Sequence, residues 1–218
     1  MAFRLSDFGI PSFDTNVDFL YKRAVAQGES VLCGDEEFVV YHMPETPFMV
    51  VLRFEFESDG ETPQHVTAHT FLDNPVRWQE GVKAAGDGRA LVMRGGAWLQ
   101  AELINGEAEG PAFMPMLYAD AIRFGASRLA VGADMLMQEG VLAPDLGGGV
   151  QLLTRVAHVQ PVVVGKLWLF SVVTLTLSDG TALYVPVSRD VMEPRIHDCS
   201  EGALCYVNGS LALMRDWA

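Results

Sequence analysis

An apolar run interrupted by an Asp-Gly pair constrains the fold of this 218-residue chain more than any other feature. Residues 167–177 carry apolar side chains on both faces of an extended strand, and residues 182–187 resume the run after Asp179-Gly180. Two strand-forming runs joined through such a pair predict a β-hairpin. Since both faces of the first strand are largely apolar, we expect the hairpin to lie inside a small barrel or sandwich.

The first half of the chain is expected to contain one helix. Residues 17–27 repeat apolar side chains at helical spacing. Asp14, Thr15 and Asn16 offer N-caps, and Gly28 suits the position after the last turn. The alternating patterns that follow predict strands over residues 30–33, 37–41, 49–57, 65–71, 89–93 and 98–104. One helix on an antiparallel sheet is an α+β arrangement.

A polar, glycine-rich segment, residues 105–111, predicts the boundary between two domains. Residues 1–110 form the predicted acidic α+β domain. Residues 111–218 form the predicted β-rich domain, an OB-like barrel by preference and a sandwich as the alternative. Residues 119–139 suit either a helix or several short strands, because their alanines favour a helix while two glycines disfavour one.

Acidic side chains outnumber basic ones and are concentrated in the first predicted domain. The net charge is −13. Residues 1–110 hold 18 acidic and 8 basic residues, and residues 111–218 hold 10 and 7. A nucleic-acid surface needs cations that displace counterions from phosphates, so this balance argues against nucleic acid as a partner. Solubility is the ordinary explanation of such a charge, and a basic protein partner is the alternative.

Cysteine usage and hydropathy point to one compartment. Cys33, Cys199 and Cys205 are too few, and odd in number, for a disulfide scaffold. Charged residues interrupt the N-terminus before any stretch that resembles a signal peptide. No uncharged apolar stretch reaches the about 18 residues that a membrane span needs. The sequence therefore predicts a cytoplasmic protein without a membrane partner.

Both ends of the chain resemble a family of uncharacterised bacterial proteins. At the N-terminus the likeness rests on Phe-Gly-Ile-Pro at 8–11, a helix that ends at Gly28, and strands up to Glu57. At the C-terminus it rests on the glycine-bracketed strand 202–213. Gln-Pro at 160–161 departs from an Asn…Thr-Gly turn of the family. The resemblance implies two halves with an OB-like C-terminal barrel, and it implies no catalytic residue.

Two histidines four residues apart, His65 and His69, are the first candidate metal ligands. On a helix they would share a face and bind zinc, with Glu61 as a third ligand. Their neighbours are strand formers, and four residues along a strand separate two imidazoles too far for direct chelation. The sequence therefore favours a strand without a metal here.

A second candidate set consists of His197, Cys199 and Cys205. Two thiolates and an imidazole bind zinc when a fourth ligand joins them. A cysteine nucleophile, with His197 or His158 as its base, is the catalytic alternative. Cys205 alternates with apolar residues of the last strand, which favours a buried thiol in the core. No metal and no cofactor are predicted, because no motif supports either role.

Four aromatic residues of the second half, Trp168, Phe170, Tyr184 and Tyr206, raise a further alternative. On an OB-like barrel they would form a stacking platform for single-stranded nucleic acid. The same side chains suit the core of a small barrel, and few basic residues lie near them in sequence. We therefore expect them in the core.

The sequence predicts a non-catalytic cytoplasmic binding or interaction module that self-associates as a homodimer. The homodimer follows from strand 49–57, whose apolar face needs more cover than one helix gives, whereas the face with Val51 is expected to be solvated. Two alternatives stay open. One is an enzyme with a site between the halves that uses His65, His69 or His197. The other is OB-type binding of single-stranded nucleic acid.

Overall fold

The fold consists mainly of β-strands in two compact units. The computed structural model describes residues 22, 25–26, 28–33, 36–42, 48–56, 63–72, 77–86, 88–104, 112–164 and 167–215. The chain divides between Pro75 and Val76 into a smaller unit before this point and a larger unit after it. The predicted boundary at 105–111 therefore falls within the sequence of the larger unit.

The smaller unit contains a four-stranded antiparallel sheet in the order β1-β2-β3-β4. The strands are β1 (Glu29–Cys33), β2 (Glu36–His42), β3 (Phe48–Phe56) and β4 (Pro63–Leu72). The alternating sequence patterns thus predicted all four strands. Of the predicted helix 17–27, Lys22, Val25 and Ala26 are helical and exposed, and the rest lies outside the described residues.

Strand β3 carries buried side chains on both of its faces. Leu52 and Phe54, on the face predicted to be apolar, are 1% and 2% exposed. Val51 points the opposite way and is fully buried. The expectation that the face with Val51 is solvated is therefore wrong at this position. The homodimer, which is expected to cover the opposite face, stays a prediction.

The larger unit is built on one nine-stranded mixed sheet in the order β12-β11-β10-β13-β7-β6-β5, with β8 paired to β13 and β9 paired to β10. The strands are β5 (Val82–Gly86), β6 (Arg89–Arg94), β7 (Ala97–Leu103), β8 (Phe113–Gly125), β9 (Leu142–Pro144), β10 (Val150–Val164), β11 (Leu167–Thr176), β12 (Ala182–Ser188) and β13 (Leu204–Arg215).

Strand β13 organises this sheet because three strands pair with it. It runs antiparallel to β8 along its whole length and antiparallel to β10 over residues 204–209. Its last part runs parallel to β7, with Leu211 opposite Ala101 and Leu213 opposite Leu103. The third and the last strand of the larger unit, β7 and β13, are thus joined by hydrogen bonds across a long sequence separation.

The predicted fold class, α+β with a helix-packed first half and a separate OB-like barrel in 111–218, is wrong. The described part of residues 28–72 is strand apart from Gly28, and β5 to β7 belong to the same sheet as β8 to β13. The described helices of the larger unit are short: α1 (Arg128–Val131), α2 (Arg189–Met192) and a 3-10 turn (Glu193–Arg195). In the described chain, no helix is long and apolar enough to cross a bilayer.

The β11–β12 hairpin forms as the sequence predicts. Thr176 lies opposite Ala182, and Gly180 in the turn has a φ of +82°, a left-handed conformation that glycine adopts without strain. Asp179 Oδ1 accepts a hydrogen bond from the N–H of Thr181 (2.8 Å). Val172 and Val173 of β11, on opposite faces, are 1% and 0% exposed. Both faces of this strand are therefore buried, as expected.

Candidate interaction surface

His65 and His69 lie on strand β4, opposite Glu55 and Val51 of β3. Four residues of extended strand span roughly 13 Å, so the helical zinc arrangement does not form. Glu61, the suggested third ligand, lies outside the described residues. The structure thus agrees with the strand that the neighbouring residues predict, and among the described residues it places one carboxylate residue, Glu55, opposite His65.

The second candidate set is split between solvent and core. His197 is exposed in the turn after the 3-10 segment, whereas Cys199 is 7% exposed and Cys205 is fully buried. Burial raises the pKa of Cys199 to about 12. Burial, and secondarily the neighbouring Cys199, also raises the pKa of Cys205. Both thiols are therefore neutral at physiological pH, which makes them poor nucleophiles.

Metal and histidine chemistry gain no support from the described residues. Among them, no group of three His, Cys, Asp or Glu side chains is placed to hold a metal ion. His158, the other suggested base, is exposed, and its Nδ1 forms a hydrogen bond with Oε1 of Glu201 (3.0 Å). The catalytic alternative stays a prediction.

The described aromatic residues differ in their burial. Phe170 is fully buried, and Tyr184 and Tyr206 are half-buried. The side chain of Trp168 lies outside the described part of the structure. The core role expected for Phe170 is confirmed, so this residue is not available to stack on a nucleotide base.

One hollow lies between β8 and β12, and its lining includes Asp120, Pro186 and Ser188. Its volume is about 30 Å³. A cavity needs about 10–15 Å³ of such space to hold one water molecule, so the hollow accepts water or a small functional group. It has no room for a metabolite-sized substrate.

The most unusual surface feature is the segment that joins β8 to β9, residues 126–140, here named the apolar loop. Its first part is α1, and the Oγ of Ser127 caps this helix by accepting the N–H of Ala130 (3.3 Å). Gly132 ends the helix with a φ of +68°. Its N–H donates to the carbonyl of Leu129 (3.2 Å). Ser127 and Gly132 are therefore a typical N-cap and C-cap, and the helix between them is a single turn long.

The second part of the apolar loop is held by three further hydrogen bonds. Asp134 Oδ1 accepts the N–H of Leu136 (2.8 Å), an Asx turn. Arg128 Nη1 donates to the carbonyl of Met137 (2.6 Å) and so joins α1 to the far end of the loop. The N–H of Gly140 donates to the carbonyl of Leu153 on β10 (2.7 Å). The loop therefore has a defined conformation.

The inner face of the apolar loop forms a small hydrophobic cluster with the sheet. Val131 is fully buried and packs with Leu153 of β10 and Leu204 of β13. Met137 and Tyr206 pack against the same cluster. This contact fixes which side chains point inward and leaves the others to face solvent.

The outer face of the apolar loop carries large aliphatic side chains in water. Leu129, Met135 and Leu136 are 91%, 81% and 91% exposed. Single exposed apolar residues are ordinary, but grouped ones mark interaction sites. Sequence reasoning missed this surface because residues 119–139 gave no periodicity. The sequence did carry one sign of this surface, since Leu129, Met135 and Leu136 are large aliphatic residues in a segment otherwise rich in glycine and polar turn formers.

Comparison with protein-family models, with curated proteins and with solved structures finds no match to this chain.

Proposed function

We propose that this protein is a non-catalytic interaction module that self-associates through the outer face of the apolar loop. The observation that carries the proposal is the exposure of Leu129, Met135 and Leu136 on a loop whose backbone is held by hydrogen bonds. An ordered loop presents these side chains without the entropy cost of ordering them on binding, which favours association.

The local charge supports a second copy of this chain as the occupant. The chain as a whole carries −13, so two copies repel each other over most orientations. The described side chains around the apolar loop include three basic ones, Arg123, Arg128 and Arg155, and two acidic ones, Asp134 and Glu139, with Arg155 and Glu139 paired at 2.9 Å (Nε to Oε1). Two copies that meet at this loop avoid the like-charge contact that other faces impose.

Shape supports a symmetric contact in which the same loop of each copy packs on the other. The apolar side chains protrude, and a head-to-tail contact would need a receiving pocket. In the part of the chain that the structure describes, the hollow between β8 and β12 holds about 30 Å³, which is too small for a leucine side chain. A two-fold contact needs only that the patch is complementary to itself, as aliphatic surface is.

The expected association is weak. Three side chains from each copy bury several hundred Å², below the about 1,200–2,000 Å² that stable specific interfaces bury. We therefore expect a monomer–dimer equilibrium with a dissociation constant in the micromolar range or above. Added salt screens the repulsion between the acidic chains, so the dimer fraction rises with ionic strength.

Sedimentation velocity over a concentration series tests the proposal. Leu136→Ser removes one aliphatic side chain from the loop, and losing its burial weakens self-association about tenfold. Leu146→Ser is the matched control, because Leu146 is fully exposed on the separate β9–β10 turn. We expect wild type and the Leu146 variant to associate equally and the Leu136 variant to stay monomeric at the same concentration.

Three outcomes would overturn the proposal. One is a monomer at all concentrations in both low and high salt. Another is a dimer that Leu136→Ser leaves unchanged, since the contact would then lie elsewhere. A dimer that dissociates on adding salt also contradicts it, because ion pairs rather than apolar surface would then hold the copies together.

A further inference from the structure

The methionines of the larger unit differ sharply in their access to solvent. Met114, Met116, Met192 and Met214 are at most 2% exposed, and Met93 and Met137 are partly buried. Met135 is 81% exposed. Thioether oxidation follows access, so one sulfur of this set is open to oxidants in solution while the others are shielded.

We propose that Met135 is a peroxide-sensitive modification site and that its sulfoxide weakens self-association through the outer face of the apolar loop. The site lies beside Leu136 in the surface to which the preceding section assigns self-association, and this part of the inference rests on that proposed function. The oxidant is hydrogen peroxide or an organic hydroperoxide.

The chemistry is a two-electron oxygen transfer. The thioether sulfur of Met135 attacks one peroxide oxygen, an S–O bond forms, and the O–O bond breaks. The second oxygen leaves with the proton as water, or as an alcohol from a hydroperoxide. Sulfur is oxidised by two electrons and the peroxide is reduced by two. The product is a polar sulfoxide in place of an apolar thioether, and methionine sulfoxide reductases reverse the change.

The loop geometry couples this local change to the surface. Leu136 follows Met135 directly, and its N–H is held by Asp134 Oδ1 at 2.8 Å, so the loop cannot simply turn Met135 inward without losing this bond. The inner positions are already filled by Val131 and Met137. The sulfoxide therefore stays on the outer face, where it must be desolvated for two copies to meet.

Peptide mass spectrometry after limited peroxide treatment of the full-length, dilute protein tests the site itself. We expect the peptide with Met135 to gain one oxygen atom about tenfold faster than peptides with Met116 or Met192, because reactivity follows access. Retention on a phenyl hydrophobic-interaction column measures the consequence without requiring a dimer. The oxidised protein should elute earlier, and treatment with sulfoxide reductase should restore the original retention.

Two variants separate the site from general damage. Met135→Leu keeps an apolar side chain and removes the sulfur, so retention and self-association should survive peroxide. Met135→Gln imitates the polar product and should reduce both without peroxide. Equal oxidation of Met135 and Met116, or a peroxide effect that persists in Met135→Leu, overturns the inference. Selective oxidation with earlier elution from a chain that is always monomeric supports the modification site and refutes the proposed self-association alone.

Discussion

Gly209 shows how a single residue position supports the central strand of the larger unit. On one side it lies opposite Val150 of β10, and on the other opposite Ala119 of β8, next to a β-bulge. A Cβ at this position would collide with the backbone oxygen of Tyr118. Only glycine lets the three strands approach this closely.

Gly209→Ala is therefore expected to lower the free energy of unfolding by about 3 kcal/mol, near the upper end for overpacking a buried site. Gly202→Ala is the control. Gly202 has a φ of +82° with nothing within 4 Å of an added Cβ, so only backbone strain is added. That strain costs about 1 kcal/mol. Urea unfolding measures the free energy of unfolding of both variants. If both variants lose the same stability, the added Cβ at position 209 does not collide with Tyr118 as predicted.

The buried thiols predict an alkaline loss of stability. Burial raises the pKa of native Cys199 to about 12, whereas thiols of the unfolded chain ionise from about pH 8.5. Because the unfolded state releases these protons first, the stabilising contribution is complete below about pH 8.5 and falls as the pH rises toward 12. Cys199→Ala, measured by urea unfolding at neutral and alkaline pH, should lose less stability at high pH than wild type. If the stability of Cys199→Ala depends on pH as strongly as that of wild type, the buried thiol of Cys199 does not cause the alkaline loss.

At the scale of elements, local patterns predicted the strands and the β11–β12 hairpin but not the loop between β8 and β9. The β6–β7 and β11–β12 pairs carry alternating side chains and turn glycines within a few residues of each other, and both form. Residues 126–140 contain one short helix, an Asx turn and side chains of both orientations. Whether Leu136 or Met137 points outward depends on packing against Leu153 and Leu204, which no nearby residue encodes.

The Arg128 side chain is expected to control the order of the apolar loop. Its Nη1 bond to the carbonyl of Met137 (2.6 Å) is part-buried and joins both ends of the loop. Arg128→Ala removes it, and a hydrogen bond from a charged donor contributes about 1.5–3 kcal/mol. We expect amide hydrogen exchange in residues 133–138 to accelerate about tenfold or more, while β13 keeps its protection.

Arg155→Ala provides the comparison for this element. It breaks the pair with Glu139 (2.9 Å), whose side chains are 60% and 37% exposed. Exposed pairs contribute about 0–1 kcal/mol, so exchange in residues 133–138 should change little. If both variants accelerate exchange equally, the Arg128 bond has no special role in the loop.

At the scale of the whole molecule, the feature that the sequence did not reveal is the parallel pairing of β7 with β13. Leu103 and Leu213 are opposite each other although about half the chain separates them. The alternation of apolar and polar residues shows that each segment is a strand, but it does not show which strand it pairs with. A parallel pair also has no hairpin turn that would indicate the pairing in the sequence. The polar segment 105–111 therefore suggested a domain boundary where the chain only connects two strands of one sheet.

This pairing makes a prediction about which fragment folds. A fragment of residues 76–218 keeps all nine strands and the core side chains Leu99 and Ala101 of β7, which are 1% and 3% exposed. A fragment of residues 111–218, the predicted OB-like domain, lacks β5 to β7 and exposes the edge of β13. An open edge and an uncovered apolar face promote unfolding and aggregation. Thermal unfolding by circular dichroism should give a cooperative transition for 76–218 and none for 111–218. A cooperative transition in the shorter fragment would show that β8 to β13 form a self-sufficient domain and that the sheet does not depend on β7.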